Sequence, residues 1–246
     1  MASQFIGGLH SVRAALKHPG KVKALWIDAD RRDRRLRELI EAAQAAGVKP
    51  RPVSKEELER LSPDTNHQGV VAEIEGAAAG DEHTLEELLE NLTEPPFLLV
   101  LDGVQDPHNL GACLRSADGA GVHAVIAPRD KSVGLTPVAA KVASGAADNV
   151  PFIQVTNLAR TLKWLTEETG VWIVGLAGEA EASLYDTDLK GPLALVMGGE
   201  GEGMRRLTRE HCDLLASLPM KGSVESLNVS VATGIALFEA VRQRGR

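Results

Sequence analysis

The chain has 246 residues, 43% of them hydrophobic, enough to bury one large core or a small and a larger one, so size does not limit its stability. Its formal charge of −7 argues against bulk attraction to nucleic acid and leaves phosphate binding to local clusters of Lys and Arg. Cys113 and Cys212 have neither Cys-x-x-Cys nor His-rich spacing and point to no disulfide framework or zinc site, and no segment approaches the roughly 18 uninterrupted apolar residues of a membrane span.

The opening MASQFIGGLHSVRAALK lacks the basic and apolar stretches of a secretion signal, so a soluble, cytoplasmic protein is expected, with no membrane and no metal. The next elements alternate: helix His10–Lys17, strand Val22–Ala29, helix Asp33–Ala46, strand Val48–Val53, helix Lys55–Leu61 and strand Gly69–Ile74. This rhythm predicts a small α/β domain over residues 1–76. Ser54 and Glu57 have capping-box spacing, and Gly47 stops the preceding helix. This part carries 13 Lys+Arg against 11 Asp+Glu. Its arginines Arg31, Arg32, Arg34, Arg35 and Arg37 alternate with Asp28, Asp30 and Asp33, which suits a salt-bridged helix start at least as well as an RNA contact.

Residues 77–95 hold six acidic residues, no Lys or Arg, and the start of a Pro-Pro pair, the composition of an acidic linker with one short helix that Thr84 and Glu87 can cap. From residue 96 to 246 the rhythm resumes with FLLVLD, VHAVIA, VPFIQV, VWIVGL, LALVMG and LLASLP. Strands apolar on both faces predict a parallel sheet covered on both sides. Asn157–Gly170 reads as a capped, glycine-stopped helix between two of them.

Three polar, glycine-bearing segments each follow an apolar run: Asp102–Arg115, Gly198–Met204 and Pro219–Ser230. In an open parallel sheet such loops converge beyond the carboxyl ends of the strands, so all three can share one pocket. In the first, Asn109 is expected to cap a helix, Gly111 to admit a ligand's backbone, and Arg115 to grip a phosphate or developing oxyanion. In the second, glycines around Glu200 and Glu202 expose main-chain groups to a ligand. The third leads into a long helix, ending near Arg244, with Val231, Ile235, Phe238 and Val241 at helical spacing. Gly119-Ala-Gly-Val-His-Ala124 has dinucleotide-binding glycine spacing, but it leaves a helix and enters a strand, the reverse of the order such a site needs.

In this order the segments resemble the SpoU (TrmH) family of ribose 2′-O-methyltransferases, of the SPOUT superfamily. The resemblance rests on HNLGACLRSADGAGVHAVIAP, EGEGMRRLTREHCD and SLNVSVATGIALFEAVRQR, together with FIGGLHSVRAAL and NHQGVVAEI near the amino terminus. It implies a small L30e-like substrate-binding domain at residues 1–76, followed at residues 96–246 by an α/β catalytic domain with a parallel sheet and a deep trefoil knot. It further implies S-adenosyl-L-methionine as methyl donor, a guanosine ribose of 23S rRNA as acceptor, and a homodimer. Carried over by motif, Arg115, Asn109, Glu200, Ser226 and Asn228 are the catalytic set, and Ala177, Gly178, Gly198, Gly199, Leu218, Met220 and Leu227 form the donor pocket. His10 and His67 are implied to face RNA. A tRNA enzyme of the same family, a non-catalytic RNA-binding assembly factor and a nicotinamide-dependent dehydrogenase remain as other readings.

Overall fold

Alternating apolar residues in the first part and continuous apolar runs in the second build two different sheets. The computed structural model describes residues 3–63, 66–75 and 79–245. The chain divides into compact units at residues 1–78 and 79–246. Residues 76–78, at the expected start of the linker, lie outside the described residues.

The smaller unit contains β1 (Ser3–Gly7), α1 (Leu9–Leu16), β2 (Val22–Asp28), α2 (Arg34–Ala45), β3 (Pro50–Val53), α3 (Lys55–Leu61) and β4 (Val70–Glu75). Its sheet runs β1-β4-β2-β3, with β4 antiparallel to both neighbours and β2 parallel to β3. Val70, Ala72 and Ile74 of β4 point into a core with Leu25, Val12, Leu36 and Leu39 from β2, α1 and α2. Sequence patterning misses β1, because the alternation of SQFIG is too short to register beside the helix that follows it. Asp33 caps α2 by accepting from the N–H groups of Arg35 and Leu36, and Ser54 caps α3 by accepting from Glu57.

The larger unit contains α4 (Glu82–Asn91), β5 (Phe97–Asp102), α5 (Pro107–Ala120), β6 (Ala124–Pro128), α6 (Pro137–Ala143), α7 (Ala146–Asn149), β7 (Phe152–Val155), α8 (Leu158–Thr169), β8 (Trp172–Leu176) and β9 (Ala182–Ser183). It ends with β10 (Leu193–Gly198), α9 (Arg206–Glu210), β11 (Leu214–Ser217) and α10 (Val229–Gln243). Seven strands in the order β7-β6-β5-β10-β8-β11-β9 pair in parallel throughout.

Because side chains alternate along a strand, β5 feeds two cores. Phe97, Leu99 and Leu101 meet α5, α6 and α10 on one face, while Leu98 and Val100 meet α4 and α8 on the other. The acidic stretch expected as a linker therefore belongs, from Ala79 on, to the larger unit. Leu85 of α4 is buried in the second core, Gly80 bridges Ile153, and Glu82 accepts from the Thr156 backbone at 2.6 Å. Its helix is capped by Asp81, with Thr84 as the reciprocating third residue rather than the cap.

Three further expectations are corrected by packing. Asp106 caps α5, because Pro107 fits the first helical position and leaves Asn109 inside the helix. Gly111 faces α6 and no ligand: an added Cβ would lie 2.5 Å from the Ala139 carbonyl oxygen and 2.6 Å from the Val142 Cβ. On α10 the packed face is Val229, Thr233, Ala236, Leu237 and Ala240, whereas Val231 and Phe238 of the quoted stripe are about half exposed.

Candidate functional site

The parallel sheet brings the carboxyl ends of β5, β8, β10 and β11 to one side, and the turns that follow β8, β10 and β11 enclose a cleft of about 840 Å³. Segments far apart in sequence supply its walls. Ala177 and Gly178 follow β8, Gly198 and Gly199 end β10, and Leu218, Met220 and Leu227 come from the chain between β11 and α10. All seven residues expected to form the donor pocket thus line one cavity, joined by Glu200, Ser226 and Asn228.

Asn109 ties the three motifs together. Its Nδ2 donates to Glu200 Oε1 at 2.6 Å, and its Oδ1 accepts from Asn228 Nδ2 at 3.1 Å. Asn228 also caps α10, its Oδ1 accepting from the backbone N–H and the hydroxyl of Ser230 at 2.9 and 2.6 Å. One side chain therefore serves both helix capping and site assembly, and an amide is suited to this because it can donate and accept at once. Asn109 is largely buried, so each of these bonds satisfies a polar group that would otherwise be costly to leave unpaired.

The remaining predicted residues divide. Ser226 sits exposed on the cleft wall. Arg115 is exposed on α5, outside the cleft lining, with no bond or ion pair to another described residue. It stands one turn before Gly119, against which Phe238 of α10 packs, and so flanks the outward apolar stripe rather than the amide network.

The glycine loop could not carry side chains where it leaves β10. A Cβ on Gly199 would lie 2.2 Å from the Gly103 carbonyl oxygen, and one on Gly198 would lie 2.3 Å from Gly203. Four glutamates, Glu179, Glu200, Glu202 and Glu225, face the cleft with Arg209, which is itself paired to Glu179. The balance favours a cationic ligand, and the volume falls in the usual range of about 300–1,000 Å³ for small-molecule sites.

Sequence reasoning missed the buried Asp102 and its partner Arg205. The signal was present as an acidic residue closing an otherwise apolar strand. Both cysteines are inert by burial, which pushes the thiol of Cys113 up to about 11 and that of Cys212 up to about 12. Among the described residues no group of three or more His, Cys, Asp or Glu is placed to hold a metal ion, and no helix is long and apolar enough to cross a membrane.

In the smaller unit, the turn before β4 is held by His67, whose Nδ1 accepts from Gly69 N–H at 3.1 Å, while His10 is exposed. Arg31 and Arg34 are paired with Asp33 and Glu38, and Arg32 donates to the Ala29 carbonyl. Arg35 and Arg37 project their side chains with no partner among the described residues.

A parallel three-layer α/β domain whose loops gather a small-molecule cleft at the strands' carboxyl ends defines a ligand-binding α/β class of protein. The chain belongs to the SpoU rRNA Methylase family, which residues 96–238 match, and residues 5–78 match the family described as RNA 2'-O ribose methyltransferase substrate binding. It is 58% identical to the 23S rRNA (guanosine-2'-O-)-methyltransferase RlmB of Ralstonia nicotianae over 98% of this chain and 96% of that one. The protein of the same name from Shewanella oneidensis is 59% identical over 97% of each. Among solved structures, the AdoMet-bound rRNA methyltransferase from Sinorhizobium meliloti superposes with a TM-score of 0.79 at 26% identity, covering 98% of this chain and 87% of that one.

Proposed function

We propose that this protein transfers a methyl group from S-adenosylmethionine to the ribose 2′-hydroxyl of a guanosine in 23S rRNA, in the cytoplasm. The observation that carries the reading is the Asn109 junction at the edge of the cleft, which joins all three motifs. The cleft's excess of carboxylates suits a sulfonium ligand, and its glycine-lined wall offers main-chain groups to a flat base.

When bound, the donor supplies an electrophilic methyl group on a good leaving group, so the chain's share is alignment and proton handling. A ribose hydroxyl is a weak nucleophile at neutral pH, and its proton must leave as the oxygen attacks. The Glu200 carboxylate, held by Asn109, is positioned as the chain's own acceptor for that proton, with a substrate phosphate oxygen as the other candidate. Arg115 is assigned to charge and positioning rather than to proton removal, because its planar guanidinium offers hydrogen-bond donors and no acceptor. It binds the neighbouring phosphate and stabilises developing negative charge, while Ser226 and Asn228 orient the ribose.

The protein acts as a homodimer through the outward stripe of Val231 and Phe238 on α10, with Arg115 at the seam. Phe238→Asp then yields a monomer in sedimentation; an unchanged dimer would place the interface elsewhere. The sheet's order supports a trefoil knot, since β11 lies outside β8 while α10, next in the chain, packs on α5, so the segment between them doubles back across the ends of β8 and β10. Residues 1–76 form an L30e-like substrate-binding domain.

The test is incubation with labelled S-adenosylmethionine and unmodified large-subunit rRNA, followed by mapping of the modified ribose. A single methylated guanosine is expected. Label confined to tRNA, or donor binding without transfer, would overturn the reading.

A further inference from the structure

Asp102 closes β5 and is fully buried, yet methyl transfer as set out above gives it no task. Its backbone carbonyl accepts the N–H of Gly199 at 2.8 Å. One carboxylate oxygen accepts the backbone N–H of Arg205 at 2.8 Å, and the other accepts from Nε of the same arginine at 2.6 Å and forms an ion pair with its Nη2 at 2.6 Å. A single residue therefore holds both ends of the loop from Gly199 to Arg205, which Gly199 and Gly203 close further by pairing with each other. That loop walls the cleft and carries Glu200 to Asn109.

A carboxylate out of water is costly unless paired and fully bonded, and such pairs give registry more reliably than net stability. Here the registry concerns seven residues, rich in glycine, whose unfolded freedom is large. We propose that Asp102 and Arg205 are a positioning pair for methyl transfer: they clamp the glycine loop to the end of the central strand, so that its main chain stays a preformed wall for the donor and Glu200 stays at Asn109. The proposal rests on the reading of the cleft as the donor's. It adds two residues that touch neither donor nor ribose and act through Gly199 and Glu200.

The Arg205 side chain is 39% exposed, so Arg205→Ala removes the guanidinium from the surface side without taking an apolar side chain out of either core, and leaves the buried Asp102 carboxylate with only its backbone donor, a cost that the melting temperature reads. Three quantities are measured on the full-length protein at 25 °C: S-adenosylmethionine affinity by calorimetry, steady-state kinetics, and hydrogen exchange of the donor-free protein, with the melting temperature taken separately. Arg205→Ala is expected to weaken donor affinity about tenfold, raise the donor KM in step and lower kcat several-fold, while the KM for rRNA is unchanged. Amides 199–205 should exchange about tenfold faster in the donor-free variant, with those of β5 and β10 unaltered. Arg205→Lys should recover most of the affinity, and Asp102→Asn should reproduce the loss. A lowered melting temperature with wild-type affinity, kcat and loop exchange would reduce the pair to a stability element and overturn the proposal. Failure of the wild-type protein to bind donor would sink the reading of the cleft instead, and unchanged loop exchange in Arg205→Ala would sink the clamp by itself.

Discussion

In the smaller unit the central strand β4 has antiparallel neighbours on both sides, whereas in the larger unit β5 and β10 lie among parallel strands. Parallel order sends every strand end to the same edge, and there three loops share hydrogen bonds through Asn109. Antiparallel order scatters its turns to opposite ends, and the charged side chains there pair locally, as Arg31 does with Asp33 and Arg34 with Glu38. Chemistry that needs residues from distant sequence therefore gathers in the larger unit, and the smaller one is left to offer surface.

Removing the smaller unit is the most direct way to break that contrast. Deletion of residues 1–78 should abolish methylation of rRNA while leaving donor affinity within about twofold, measured by calorimetry on the remaining unit. Undiminished methylation by the truncated protein would mean that recognition also resides with the catalytic loops.

Within the larger unit, Asn109→Ala should lower kcat by about 10²–10³-fold, since it releases Glu200 and Asn228 together. Stability should fall by only about 1–3 kcal/mol, the usual range for stranding buried polar partners. Single-turnover kinetics and denaturant melts check the two parts.

Much of this was legible in the sequence, because apolar runs bounded by glycine report strands and their ends directly. FLLVLD and LALVMG appear with the expected bounds. The convergence of three motifs followed from parallel order together with family resemblance. What escaped was decided by competition between neighbours. Asp106 and Asn109 both cap helices well, and Pro107 selects the former. On α10 apolar residues occur nearly all round, so periodicity could not tell the packed face from the outward one. Gly111 looked like ligand access because nothing in one chain marks which helix will press against it.

Gly111→Ala sharpens this last point. Its new methyl would meet the Ala139 carbonyl oxygen, so the melting temperature should drop by the equivalent of about 1–3 kcal/mol, with donor affinity retained. Lost donor affinity in a folded variant would restore Gly111 to the site.

The smallest expected effect is an acid one. Arg242 and Gln243 bond to Glu239 on α10 and hold its carboxyl down at about 2. A depressed carboxylate adds stability above the ordinary range of about 4.3 and loses it as the pH falls through the folded value. The gap in melting temperature between wild type and Glu239→Gln should thus be present at pH 7 and close towards pH 2. A gap independent of pH would assign the contact to packing.

Strand order also sets a timetable for synthesis. The smaller unit owns all four of its strands once Glu75 has left the ribosome, but β5 must wait for Leu193, the partner of Phe97, before its second edge is covered. During that interval a strand apolar on both faces is a sticky template, and parallel pairings over such separations form slowly. The nascent chain thus passes through an interval in which every strand of its amino-terminal unit is available for pairing while its central strand is half dressed, so the hazard of aggregation during synthesis falls on the larger unit.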